Sequence, residues 1–411
     1  MPVPGEPIPA FVEYTYFALI LYSVLLSGGE LSVPLIGGGM NVVLAVYCVK
    51  RLGSRALAPI SMPLACACSL VLIQIFLHHE SVNQIYVKPF IIWAIQLVIV
   101  QALSSRRGFF HRFSIVALVI GLLLLPYLSF WGQQDEIARA GLEGSVGLAN
   151  PNDLARWFGF LAVYFLTAGI ETTSPILRYT CWPVALGSLL VIGLTVSRGV
   201  LIAVLIAAII AFRRVLKGGF LPLLILALIL FVAYETGIFD QALQSYAARG
   251  EEETGRWLVW PLIMNRLIES PIAGVGVTDV ATYVPDRGLI TPHNPFLLIA
   301  LSSGLVPLVF FLSYWFQAAL RVFNVLRQRF ENAPFLISAF VYVLLAIIPE
   351  NLQFTSHWAM VTVAAAFTPS ALRRVRAINA DQAKVVASLT RRNTAKTSRG
   401  NTRPYPGFRA S

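Results

Sequence analysis

The chain has 411 residues, of which 57% are hydrophobic and only 12% charged. Soluble domains carry roughly 25% charged residues, so this balance excludes an ordinary soluble enzyme and points to a membrane protein. The net charge of +11 gathers in basic loops and a basic tail, and is no argument for a nucleic-acid partner.

A bilayer core needs about 20 apolar residues per helix. In chain order, the predicted spans are Phe11–Ser27, Val33–Val49, Leu57–Leu77, Tyr86–Leu103, Phe113–Trp131, Leu154–Ile170, Tyr179–Val196, Gly199–Phe212, Phe220–Tyr234, Pro295–Phe316, Ala333–Pro349 and Ser356–Leu372. They are helices, because backbone groups in lipid must be satisfied within the segment, and none shows the alternation of a barrel strand. The fold class expected is therefore all-α and polytopic, with about twelve transmembrane helices. The opening MPVPGEPIPA has no basic stretch, so the first span is expected to stay as an anchor.

Every second connection is basic: Lys50–Arg55, Arg106–Arg112, Arg178, Arg213–Lys217, Arg321–Arg329 and Arg373–Arg376. Positive charge is retained in the cytoplasm, which puts both termini there and the long polar loop Glu235–His293 outside. Residues 1–376 read as one membrane domain, and 377–411 as a disordered basic cytoplasmic tail. That tail is either a solvated extension or a contact for anionic headgroups. Cys48, Cys66, Cys68 and Cys181 fall in or beside spans, with spacing that suits neither a zinc site nor an outer disulfide.

Four motifs lie on the outer side. Arg139–Trp157 holds Gly-rich turns, a cation at Arg139 and the turn sequence from Asn150 to Asp153, where Asn152 or Asp153 is expected to cap a helix starting at Leu154. Next, TVSRGVL places Arg198 between two apolar runs. It either snorkels to headgroups or grips a phosphate with its bidentate fork. Thr254–Pro271 reads as a short interfacial helix with tryptophans at headgroup depth. Arg256 lies near its start, as a phosphate or headgroup contact, and Arg266 as a headgroup contact. The following GVGVTD is a turn, because no strand precedes it. Glu251–Glu253 read as solvated. Last, TPHNPFLLIALSSGLVPL sets His293 and Asn294 at a span entrance, where an imidazole can exchange a proton or bond to phosphate.

The ordered set NPNDLA, SRG, GRW with SPIAGVG, and HNPFL with GLVPL resembles the O-antigen ligase and polymerase superfamily, over about residues 139–311. These are polytopic bacterial membrane glycosyltransferases of GT-C-like helical fold. The resemblance implies an inverting, metal-independent enzyme of the inner membrane, without cofactor, working at the periplasmic face. Its donor would be a glycan on undecaprenyl diphosphate, and its acceptor lipid A–core, another lipid-linked repeat or a protein side chain. It implies that Arg198 and Arg256 hold the lipid diphosphate and that His293 acts at the acceptor hydroxyl. Arg139, Asn150 and Asn294 complete the candidate substrate-binding residues. A transporter or flippase is the rival class, but transporters set their ionisable residues near the midplane, and here the polar residues gather at one face. A non-catalytic envelope scaffold would leave Arg198, Arg256 and His293 unexplained.

Overall fold

The computed structural model describes residues 8–26, 32–52, 61–79, 84–104, 106, 108–131, 139–142, 150–212, 256–284, 288–327 and 333–348. The expected spans Phe220–Tyr234 and Ser356–Leu372, the loop up to Gly255 and the basic tail lie outside the described residues, as do the side chains of Arg139 and Arg256. All described residues belong to one compact unit, Met1–Phe367.

The helices are α1 (Ala10–Leu26), α2 (Ser32–Leu52), α3 (Ser61–Phe76), α4 (Gln84–Ser104), α5 (Phe109–Leu124), α6 (Pro151–Glu171), α7 (Pro175–Leu194), α8 (Arg198–Phe212), α9 (Arg256–Glu269), α10 (Pro295–Ser303), α11 (Leu305–Arg327) and α12 (Ala333–Ile347). Two antiparallel hairpins join them, β1 (Leu128–Trp131) with β2 (Arg139–Leu142), and β3 (Thr282–Val284) with β4 (Gly288–Ile290). By length and composition four stretches can cross a membrane, Phe109–Tyr127, Pro151–Glu171, Pro175–Leu194 and Leu305–Asn324. Shorter apolar helices cover five further expected spans.

Local chemistry explains the helix starts. Asn150, Ser174 and Asn294 cap α6, α7 and α10, each followed by a proline at the first helical position. Proline fits there because that N–H has no intrahelical partner to lose. Asn150 therefore caps a helix beginning at Pro151, three residues before the expected start at Leu154. Asp153 instead accepts from Arg156 at 2.7 Å.

Two expected spans are broken. The run to Trp131 ends as helix at Leu124, passes through a turn containing Pro126, and continues as β1, whose Trp131 pairs with Arg139. Proline removes the donor that would continue the helix, and the aromatic residues after it suit a strand. The run Pro295–Phe316 divides at Gly304 into α10 and α11. Gly304 has φ +78°, and a β-carbon there would collide with the Ile272 carbonyl, so only glycine allows this close approach.

Central α6 is buried nearly all round and packs against α5, α7, α8 and α12. Close approach is made at glycine, with Gly159 lying under the Tyr342 ring of α12. The Tyr342 hydroxyl donates to the Arg156 carbonyl at 2.7 Å. On the other side α3 packs along α11, and α2 along α4. Glu13 of α1 is buried and paired with Arg106 at 3.0 Å and Arg112 at 2.6 Å, joining the first helix to the α4–α5 connection.

Candidate active site

The candidate site residues fall into two groups, each built on helix N-termini. In the first, Asn150 caps α6 by accepting from the Asn152 N–H at 2.9 Å. The Asn152 side chain in turn accepts from the Ser197 hydroxyl at 3.2 Å. Ser197 is buried in the turn between α7 and α8, where Val196 takes the left-handed φ of +53°. Arg198, half-buried, is the first residue of α8. The NPND and SRG motifs, distant in sequence, thus meet side chain to side chain, with the starts of α6 and α8 at the same end of the bundle. Strand β2, which carries Arg139, packs against α6 and α7.

The second group is made by α9, β4 and α10. Arg256 is the first residue of α9. One face of α9 buries Val259 and Ile263 in a cluster with Val280, Leu298 and Leu301. The Trp260 indole N–H donates to the Pro292 carbonyl at 3.1 Å. His293 follows, half-buried, with φ +45°. Asn294 caps α10, its side-chain oxygen accepting from Phe296 N at 2.9 Å and Leu297 N at 3.1 Å.

The long loop closes onto the helix break. Val275 N donates to the Leu301 carbonyl at 2.7 Å, Gly276 N to Ser302 at 3.1 Å and Leu305 N to Pro271 at 2.9 Å. The SPIAGVG segment thereby satisfies the carbonyl end of α10, which Gly304 would otherwise leave open. Gly274, with φ +73°, packs against the backbone of Leu301 and Ser303.

Residues 183–312 match the O-antigen ligase family model. The O-antigen ligase match covers just under a third of the chain, and contains Arg198, Arg256, His293 and Asn294 together with the SRG, GRW–SPIAGVG and HNPFL–GLVPL motifs. It begins at Pro183, after Arg139 and Asn150, so these two stand on the resemblance and the fold alone. It supports the O-antigen ligase and polymerase superfamily, and with the apolar helices a multi-pass membrane protein of that general kind. No curated protein matches the chain.

Several residues of this frame were not singled out from sequence. Gln74, buried near the end of α3, donates to the Ser302 carbonyl at 2.9 Å and the Ser303 hydroxyl at 2.7 Å. The His78 ring contacts the Ala273 carbonyl at 2.9 Å. Helix α3 and the turn after it therefore brace the end of α10 and the SPIAGVG segment packed on it. An amide inside an apolar run was the available signal, since polar side chains in a span are costly unless partnered. Arg266 donates to the Ala281 carbonyl at 3.1 Å and the Thr282 hydroxyl at 3.2 Å, so it ties α9 to β3 within the loop. Trp260 turns inward to Pro292, and the outward face of α9 carries Met264 and Ile268 instead.

Proposed function

We propose that the protein transfers a glycan from undecaprenyl diphosphate to lipid A–core at the periplasmic face of the inner membrane. The observation that carries this reading is the Ser197–Asn152 hydrogen bond, which brings the first turns of α6 and α8 together beside Arg198. Helix N-termini carry partial positive charge and free N–H groups, and with a guanidinium they suit a diphosphate.

In this reading Arg198 and Arg256 hold the diphosphate, and Arg139 adds positive charge from β2. Asn150 and Asn294 act on the substrate side through the helix ends that they cap. The acceptor hydroxyl oxygen bonds to the anomeric carbon as the bond from that carbon to the diphosphate breaks. The electron pair leaves with the diphosphate oxygen, and His293 takes the hydroxyl proton. Attack opposite the leaving group inverts the configuration. The fixed guanidinium groups stabilise the growing charge, and in a poorly hydrated site they count for more than in water. No metal or cofactor has a step in this scheme.

The reading is tested on the envelope glycolipids of a deletion strain. Loss of a ligase leaves finished polymer on its lipid carrier. A single repeat attached to core would instead identify a polymerase, and unchanged lipopolysaccharide with an unglycosylated protein would identify a protein glycosylator.

A further inference from the structure

His293 sits in backbone that few residues adopt. Its φ of +45° is in the left-handed region, where a β-carbon is strained unless the surroundings hold it. Two neighbours are fixed already. Asn294 is extended, with φ −151° and ψ 120°, as the residue before a proline is expected to be, and its side chain is locked onto the α10 backbone. On the other side is Pro292, a buried residue whose carbonyl begins the peptide bond to His293. That carbonyl accepts the Trp260 indole N–H at 3.1 Å.

The indole is itself held. Val259 and Ile263, on either side of it in α9, are buried with Leu298 and Leu301 of α10, and Trp260 packs against the same cluster. Helix α9 and the helix that follows His293 therefore share one apolar core, and Trp260 spans from that core to the His293 peptide. Arg256 lies one helical turn before Trp260.

We propose that Trp260 is a positioning residue: its indole N–H fixes the Pro292–His293 peptide in the left-handed turn that presents the histidine to substrate. Through Trp260, α9 is thereby tied to the turn that carries His293. This inference rests on the proposed role of His293 in transfer.

The test uses the full-length chain in purified membranes, with an undecaprenyl-diphosphate-linked glycan as donor and lipid A–core as acceptor. Trp260→Phe keeps an aromatic ring and removes the N–H. Its expected effect is a fall in kcat of about tenfold, the size of a lost well-aligned hydrogen bond, with donor KM unchanged at equal membrane abundance. Trp260→His, which retains a ring N–H, is expected to recover part of that loss. In a His293→Gln background, Trp260→Phe is expected to add less than about twofold, because both changes act through one group. Normal turnover in Trp260→Phe, equal loss in the Phe and His variants, or full multiplication of the loss in the His293→Gln background would each overturn the inference while leaving the role of His293 standing. Normal turnover in His293→Gln alone would instead remove the proton-transfer reading, and the inference with it.

Discussion

The Ser197 hydroxyl donates to the Asn152 side chain at 3.2 Å, across forty-five residues of sequence. One bond registers the turn before Arg198 against the capped start of α6, and so fixes where the arginine leaves the bundle. Ser197→Ala is expected to leave the protein folded and to raise donor KM severalfold, since a neutral hydrogen bond is worth about 0.5–1.5 kcal/mol. Asn152→Ala should match it, and the double variant should be no worse than either single one. Transfer kinetics in membranes, with abundance measured by immunoblot, check this.

Arg198→Lys is expected to be badly impaired, because an ammonium cannot replace a two-pronged guanidinium on a diphosphate. Donor binding and transfer measured in parallel decide the point. Normal activity at equal abundance would favour simple snorkelling of the side chain to headgroups.

His293→Ala is expected to slow transfer by roughly 10²–10⁴-fold while donor binding survives. His293→Gln keeps hydrogen bonding and cannot exchange a proton near neutral pH. Near-normal turnover in that variant would leave His293 a positioning role only.

Gly159→Ala tests the packing of the bundle. The added methyl group would run into the Tyr342 hydroxyl, which is buried and committed to the Arg156 carbonyl. Overpacking of this kind costs about 1–3 kcal/mol. The variant should melt lower in detergent, and shortening the partner in Gly159→Ala/Tyr342→Phe should recover part of the loss.

Orientation is tested by reporter fusions. Those after Lys217 and Arg329 should read cytoplasmic, and one after Arg249 periplasmic. A cytoplasmic signal at Arg249 would overturn the assignment of the site to the outer face.

Much of the helical pattern was legible in the sequence because its signals are local. The span start at Pro295 was placed by such a signal, whereas the cap of α6 was expected at Asn152 or Asp153 and lies at Asn150, before Pro151. The break at Gly304 was not legible. SSGLVPL falls inside one continuous expected span, and the need for glycine at the break shows only once the Ile272 carbonyl from a distant loop is seen against it. Pro126 was readable as a breaker, but the pairing of Trp131 with Arg139 depends on the partner strand. At the site, residue types announced the charged candidates Arg198, Arg256 and His293. Of the residues that hold the frame, Gln74 carried a signal as an amide in an apolar run, while Ser197 and Trp260 look like ordinary turn and helix residues until their long-range partners are known.

The pairing of Glu13 with Arg106 and Arg112 has a consequence for biosynthesis. Helix α1 leaves the ribosome with a carboxylate in its opening turn, and its counter-charges come later, the second of them ninety-nine residues further on at Arg112. At about 5–20 residues per second, they follow some 5–20 seconds later. In that interval the carboxylate end of the helix can stay near the water boundary. Glu13 can be buried with both of its counter-charges only once Arg112 of the fifth helix has been made, so the final seat of α1 is fixed late.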